Sequence, residues 1–334
     1  MTLDLPLIWA GLIAFAVFAY VVLDGFDLGV GMLFPLIDGT SNRDTAMNSV
    51  APVWDGNETW LVLGGGGLFA VFPLAYAVIM PALYAPVTAM LLGLVLRGVA
   101  FEFRWRTERG KVIWDWAFAL GSLTAAIAQG FMLGALVQGI KVDGRAYGGG
   151  WFDWLTPFSM TTAAAVTVGY ALLGATWLIL KTEGDVQRRA FGLAPVLTVA
   201  LLVGIGAVSL WTPFLSAHYA ERWFSYPAIL FAAPVPILAL LAAGRLMLSI
   251  NDRRDVEPFL ATLALFALCF IGLGISLYPY IVPLSITIAD AAGPDKSLAF
   301  LLAGASVLIP LILMYTAYSY WVFRGKVDTK GGYH

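Results

Sequence analysis

The sequence predicts an all-α integral membrane protein of about nine transmembrane helices, forming one domain over residues 1–334, with the N-terminus outside and the C-terminus in the cytoplasm. Three observations carry this expectation. Hydrophobic residues make up 60% of the chain and charged residues 12%, against roughly 45–50% and 25% in soluble domains. The apolar residues fall in runs of about 20, the length a bilayer requires of a helix. The positive charge, finally, segregates between alternate loops.

Apolar runs between charged punctuation place the spans at Leu5 to Leu36, Pro52 to Phe72, Leu74 to Leu96, Trp114 to Ile140, Thr156 to Leu180, Phe191 to Leu215, Phe224 to Ile250, Pro258 to Ala289 and Leu298 to Phe323. Only Pro73 separates the second span from the third. With nine spans, 15 of the 19 Lys and Arg residues fall on one side and only Lys141, Arg145, Arg222 and Lys296 on the other. Retained positive charge marks cytoplasmic loops, so the larger group is inside. Removing one span would scramble the partition, which supports an odd number. Trp9, Trp54, Trp60, Trp105, Trp114, Trp116, Trp151, Trp154 and Trp321 lie mostly near span ends, as an interfacial aromatic belt requires.

Several classes are excluded. A net charge of −2 offers no basic field for a nucleic acid. The single cysteine, Cys269, allows neither an intrachain disulfide nor a cysteine-rich metal site. The N-terminus has Asp4 and no Lys or Arg before the first apolar run, unlike a cleavable signal. Glycine, 35 residues in all, clusters at Gly25, Gly29 and Gly31 and at Gly64 to Gly67, where small residues let helices approach closely.

Four carboxylates sit inside apolar spans: Asp24 and Asp27 in the first, Asp55 and Glu58 in the second. An acid facing lipid costs roughly 2.5–3.5 kcal/mol, so such residues normally face protein or water and are functional candidates. Each pair is three residues apart, which sets it on one helix face. At about 1.5 Å per residue, Asp24 lies ~28 Å along the helix from Leu5, in the inner half. The second span starts inside, so both pairs occupy the cytoplasmic half and would suit a proton relay. The competing structural expectations are a capping box at Asp55 and Glu58, and polar contacts of Asp24 and Asp27 with a neighbouring helix or chain. Arg97, Glu102, Arg104 and Arg106 close the third span, where anchoring by snorkelling cations is the expected role.

The segments Leu23-Asp24-Gly25-Phe26-Asp27-Leu28-Gly29-Val30-Gly31 and Asn48-Ser49-Val50-Ala51-Pro52-Val53-Trp54-Asp55-Gly56-Asn57-Glu58-Thr59-Trp60-Leu61 resemble signatures of subunit II of cytochrome bd-type ubiquinol oxidases. The likeness continues through Arg97 to Arg104, Tyr278-Pro279-Tyr280 and Tyr315 to Trp321, and so spans nearly the whole chain. It implies two four-helix bundles plus a peripheral helix, in a bacterial inner membrane. It also implies a partner, subunit I, that carries the quinol site, two haems b and one haem d, while this chain supports it and offers a cytoplasmic proton path. Asp24, Asp27 and Asp55 match the family's intramembrane acids. Glu58, in Glu58-Thr59-Trp60, resembles the cyanide-insensitive branch.

The resemblance therefore implies a terminal oxidase subunit that works with ubiquinol and dioxygen, surrounded by membrane lipid and open to a small additional subunit. Haem iron takes His, Met or Cys ligands, and the only histidines are His218 and His334. Met80, Met90, Met132 and Met160 read as packing residues, so no haem is expected on this chain. The alternatives are a proton-coupled secondary transporter, for which an inverted pair of broken helices would speak, and a purely structural scaffold.

Overall fold

The computed structural model describes residues 4–327; His334, and Lys330, which is one of the 15 basic residues assigned to the inner side, lie outside the described residues. The chain is 81% helical. In order come α1 (Leu5–Leu33), α2 (Thr40–Val50), α3 (Trp54–Val71), α4 (Pro73–Ala82), α5 (Tyr84–Arg106), α6 (Lys111–Gln138) and α7 (Pro157–Lys181). These are followed by α8 (Gly184–Trp211), α9 (Ala217–Phe224), α10 (Ala228–Ala232), α11 (Pro234–Asn251), α12 (Glu257–Leu277), α13 (Ile288–Ala291) and α14 (Asp295–Val322). Two small antiparallel hairpins join helices: β1 (Val142–Asp143) with β2 (Ala146–Tyr147), and β3 (Tyr280–Val282) with β4 (Ile286–Thr287).

Among the described residues, eight helical stretches are long and apolar enough to cross a membrane: Leu5–Leu36, Tyr84–Arg106, Lys111–Gln138, Pro157–Lys181, Gly184–Phe214, Ala228–Asn251, Glu257–Leu277 and Asp295–Val322. The apolar runs thus become helices, as expected, with shifted ends. The span expected at Leu74 to Leu96 breaks instead. Pro73 opens α4, which ends at Ala82, and α5 begins afresh at Tyr84 with Pro86 in its first turn. The spanning helix therefore slides to Tyr84–Arg106 and takes Arg97 and Arg104 inside it. The run expected to continue from Pro258 to Ala289 stops at Leu277, where Tyr278 turns extended ahead of Pro279 and the chain enters β3.

Local signals set the ends of the well-capped helices. Asp4 Oδ1 accepts from the Leu7 amide ahead of α1, and Thr156 and Ser159 form a reciprocal capping box around Pro157 at the start of α7, satisfying amides that lack intrahelical partners. No such box forms at α3: its N-cap is Val53, without a side-chain cap, so the capping expectation for Asp55 and Glu58 fails.

α7 is the most enclosed span, with 72% of its central window buried, and α14 the least, with 11%. α1 packs against α3, α6 and α7, while α5 pairs with α6 and α11 with α12. Glycine sets the closest crossings. A Cβ on Gly29 would run into Tyr170 O and the Gly174 backbone, and one on Gly174 into the Gly29–Val30 backbone, so α1 and α7 touch main chain to main chain. Gly93 and Gly121 do the same for α5 and α6. Gly65 and Gly66 face open space, so close approach does not account for the whole Gly64 to Gly67 cluster.

Candidate functional site

Every residue of α1 from Asp24 to Gly31 is buried. The glycine crossing with α7 explains why: Gly25 and Gly29 admit α7 on one side, and Gly31 meets Ser122 of α6. Asp24 and Asp27 are both fully enclosed. The close α5–α6 crossing at Gly93 and Gly121 lies one turn from Arg97, whose side chain is also fully buried.

Arg97 joins three helices. Its Nη1 donates to Asp24 Oδ1 at 2.6 Å, and its Nη2 donates to Glu58 Oε1 on α3. The guanidinium fork suits this double recognition, because its donors lie in one plane at fixed angles. Asp27 takes a different partner: Asn57 Nδ2 donates to Asp27 Oδ2 at 2.7 Å and to Leu23 O at 3.2 Å. The Tyr320 hydroxyl of α14 donates to Asn57 Oδ1 at 2.9 Å. The amide is thus held between a donor and two acceptors, which fixes its orientation. One turn toward the N-terminus of α1, the Tyr20 hydroxyl accepts from Gln129 Nε2 at 2.9 Å, and Gln129 Oε1 accepts from the Tyr170 hydroxyl at 2.6 Å. Asp24 Oδ2, Asp27 Oδ1 and Arg97 Nε are buried without a hydrogen-bond partner among the described residues.

The four acids named from sequence are therefore not used as two matched pairs. Asp24 and Glu58 share Arg97, Asp27 is bonded through Asn57, and Asp55, in the first turn of α3, is exposed and outside the hydrogen-bonded set. The expectation that Arg97 and Arg104 snorkel at a span end is overturned, since both are completely enclosed. Arg104 Nε donates to Asp115 Oδ1 and its Nη1 to Asp44 Oδ1, each at 2.6 Å. Arg43 Nη1 reaches Asp115 Oδ2 at 2.8 Å.

Sequence reasoning missed Arg97 as the hub, together with Asn57, Tyr320, Gln129, Tyr20 and Tyr170. One signal for Arg97 was available: it is the only charge between Tyr84 and Phe101, deep in a run that needs a buried counter-charge. Nothing comparable marks the amides and phenols.

The donor set does not fit a haem. The one described imidazole, His218, lies on the short helix α9 beside the Tyr219 and Tyr280 rings, at centroid distances of 5.7 and 5.4 Å. No group of three or more His, Cys, Asp or Glu able to hold a metal ion occurs among the described residues.

Comparison with known proteins places this geometry in context. The sequence pattern of the family described as cytochrome bd terminal oxidase subunit II matches residues 5–323. The chain is 30% identical to the cytochrome bd-I ubiquinol oxidase subunit 2 of Escherichia coli strain K12, over 97% of this chain and 95% of that one. It is 31% identical to the cytochrome bd ubiquinol oxidase subunit 2 of Bacillus subtilis strain 168, over 97% of both. A chain in the structure of bd oxidase from Geobacillus thermodenitrificans shares the fold, with a TM-score of 0.73 at 19% identity over 96% of this chain and 99% of that one.

Proposed function

The chain belongs to the cytochrome bd terminal oxidase subunit II family, and from that premise we propose that its buried acids hold and pass protons for dioxygen reduction in a partner subunit. It is a subunit of a terminal quinol oxidase, a ubiquinol:O2 oxidoreductase of the respiratory chain, and a multi-pass membrane protein. In our reading the partner is the haem-bearing subunit I, with two haems b and one haem d, and the membrane is the bacterial inner membrane. Those haems supply electron transfer and dioxygen reduction when bound. The donor set of this chain, lacking a suitably placed imidazole, leaves them to the partner.

The topology we propose has nine crossings. The eight apolar stretches are joined by α3, whose 18 residues at about 1.5 Å each reach ~27 Å. The N-terminus is then outside, and the ends of α1, α5, α7, α11 and α14 that carry the basic residues face the cytoplasm. Asp55 stands at the inner mouth of α3, as the point where a proton enters. Glu58 lies one turn deeper on the same helix, and Asp24 and Asp27 lie across from it on α1.

One observation carries the proposal. Three carboxyl groups, Asp24, Asp27 and Glu58, cluster near one guanidinium: Arg97 bonds Asp24 and Glu58, Asp27 accepts from Asn57, and no other cation bonds any of the three among the described residues. Full ionisation would leave uncompensated negative charge in a low-dielectric interior, which is strongly unfavourable. Protons held among the carboxyls restore the balance, and their loss and gain is the chemistry a relay needs. Tyr20 on α1 continues the polar line outward to Gln129 and Tyr170, where the Gln129 amide does not shuttle protons as a carboxyl does.

The same ion pairs also tie α1, α3 and α5 together, which favours the scaffold as a second reading. With the family established, no observation favours the transporter. The test is the assembled oxidase carrying Asp24→Asn, which keeps the hydrogen-bonding shape and removes the exchangeable proton. The relay reading expects full haem content with oxygen consumption per haem lowered about 10-fold or more. Full haem content with undiminished oxygen consumption would leave the scaffold alone.

A further inference from the structure

At the cytoplasmic end, away from the acid cluster's core, a cavity of about 480 Å³ opens between the α2–α3 corner (Asn48 to Val53), the end of α7 (Trp177 to Lys181) and the end of α14 with its following segment (Tyr320 to Val327). Its charge is one-sided. Among the described residues Lys181, Arg324 and Lys326 line it, and no acidic residue does. Lys326 is the only one of the three with a carboxylate partner among the described residues, Asp255 at 2.9 Å.

Lys181, 8% exposed, donates one hydrogen bond, to Phe323 O at 2.5 Å. An ammonium has three donors, and the other two have no hydrogen-bond partner among the described residues. Arg324 donates to Trp321 O at 3.1 Å and stacks over the Trp321 ring at 4.6 Å. It has no ion pair among the described residues. Trp177, 4% exposed, also lines the cavity, and its buried indole Nε1 has no hydrogen-bond partner among the described residues. The remaining walls combine Asn48 and Ser49 with Leu180, Tyr320, Val322 and Phe323; the apolar and aromatic part suits the glycerol and upper acyl portion of a lipid.

From these observations we propose that the cavity binds an anionic phosphate group, presented by a phospholipid headgroup of the adjoining leaflet, with Lys181 and Arg324 as its cationic partners. The helix ends explain part of the design. Lys181 bonds the C-cap carbonyl of α14 at Phe323 and Lys326 a last-turn carbonyl of α7 at Ile179, where positive charge is favourable. The absence of matching acids is what helix capping leaves unexplained. A phosphate supplies the missing negative charge on the side where anionic lipid attracts cations.

The experiment uses the assembled oxidase, delipidated and returned to nanodiscs of phosphatidylglycerol mixed with phosphatidylcholine, with retained lipid counted by native mass spectrometry. The wild-type complex is expected to retain phosphatidylglycerol in preference to phosphatidylcholine. Lys181→Gln and, separately, Arg324→Gln should each lower that preference about 5-fold. Arg188→Gln is the control: it is exposed, paired with Asp185, outside the cavity and on the same side, and it should leave the preference unchanged. Because Lys181 is buried and its variant can fail to fold, the exposed Arg324 carries the test by itself. In a parallel arm, inorganic phosphate is titrated against the delipidated complex in neutral detergent. Saturable phosphate binding that Lys181→Gln weakens, without any lipid preference, keeps the anion site but assigns it to a soluble phosphate. Equal retention of both lipids with no phosphate binding, or an equal loss in Arg188→Gln, overturns the proposal.

Discussion

Two arginines on α5, seven residues apart and both completely enclosed, have been given opposite surroundings. Arg104 sits with Arg43 between Asp44 and Asp115, two cations against two acids. Arg97 sits alone against Asp24 and Glu58 in direct contact, with Asp27 one helical turn from Asp24 on α1 and held by Asn57. The first set matches two guanidiniums with two carboxyls; with the Phe34 ring 5.3 Å from the Arg104 guanidinium, it is a clamp that binds α2, α5 and α6. The second set has three carboxyls to one guanidinium. The same residue type in the same helix thus fastens at one level and, in the relay we propose, serves proton transfer at the other, and the count of neighbouring carboxyls makes the difference.

The sharpest way to break this contrast is Arg104→Met. It leaves Asp115 and Asp44 with Arg43 alone, and losing one member of a buried ion-pair set costs about 3–5 kcal/mol. The expected outcome is loss of haem-loaded complex on detergent extraction, with unchanged oxygen consumption per haem in whatever survives. If consumption per haem fell instead, the clamp would have to be counted as part of the relay.

Glu58→Gln probes the other side and should act in the opposite sense. The amide can still accept from Arg97, so thermal stability should change by less than about 1.5 kcal/mol, while turnover falls. Its effect on turnover should be smaller than that of Asp24→Asn, because the Glu58 side chain is partly open, with 27% exposure against none for Asp24, and water can substitute for it. A melting curve and oxygen-electrode rates on the same preparation check both.

Arg43→Gln grades the clamp. Arg43 is 26% exposed and also donates to Ile37 O at 2.9 Å, so a loss of about 1 kcal/mol or less is expected, seen as a small drop in unfolding temperature.

The surface supplies the lower limit. Lys141 and Asp153 pair at 3.2 Å beside the first hairpin, and the Gly150 amide together with the Lys141 ammonium holds the Asp153 carboxyl below its usual range. The resulting stabilisation is complete above the ordinary carboxylate pKa and is lost as pH falls below it. Asp153→Asn should cost under about 1 kcal/mol at neutral pH and nothing once the wild-type carboxyl is protonated, as measured by proteolysis of the hairpin across pH.

The comparison also shows how far the sequence could be read. The acids of α1 stood out because carboxylates inside an apolar run demand an explanation, and they are buried where the pattern placed them. Asp55 and Glu58 looked equivalent by spacing, yet one is exposed and the other meets Arg97. Residues three apart differ by a full turn in depth and by about 60° in direction, and only the neighbouring helices decide which is covered. Arg97 was read as a span end because the run from Leu74 seemed continuous. The break between Ala82 and Tyr84 moves the span inward along the sequence, and a cation assigned to the interface becomes a buried one.

Chain composition, the length of the apolar runs and the placement of charge determined that this protein is helical, multi-pass and poor in groups able to hold iron, since lipid requires each span to satisfy its own backbone. The tertiary structure alone decided which side chains meet. The bonds from Arg97 to Asp24, from Asn57 to Asp27 and from Tyr320 to Asn57 join residues 73, 30 and 263 positions apart. They exist because tertiary packing brings particular helix faces together, and no local periodicity encodes a meeting between separate helices.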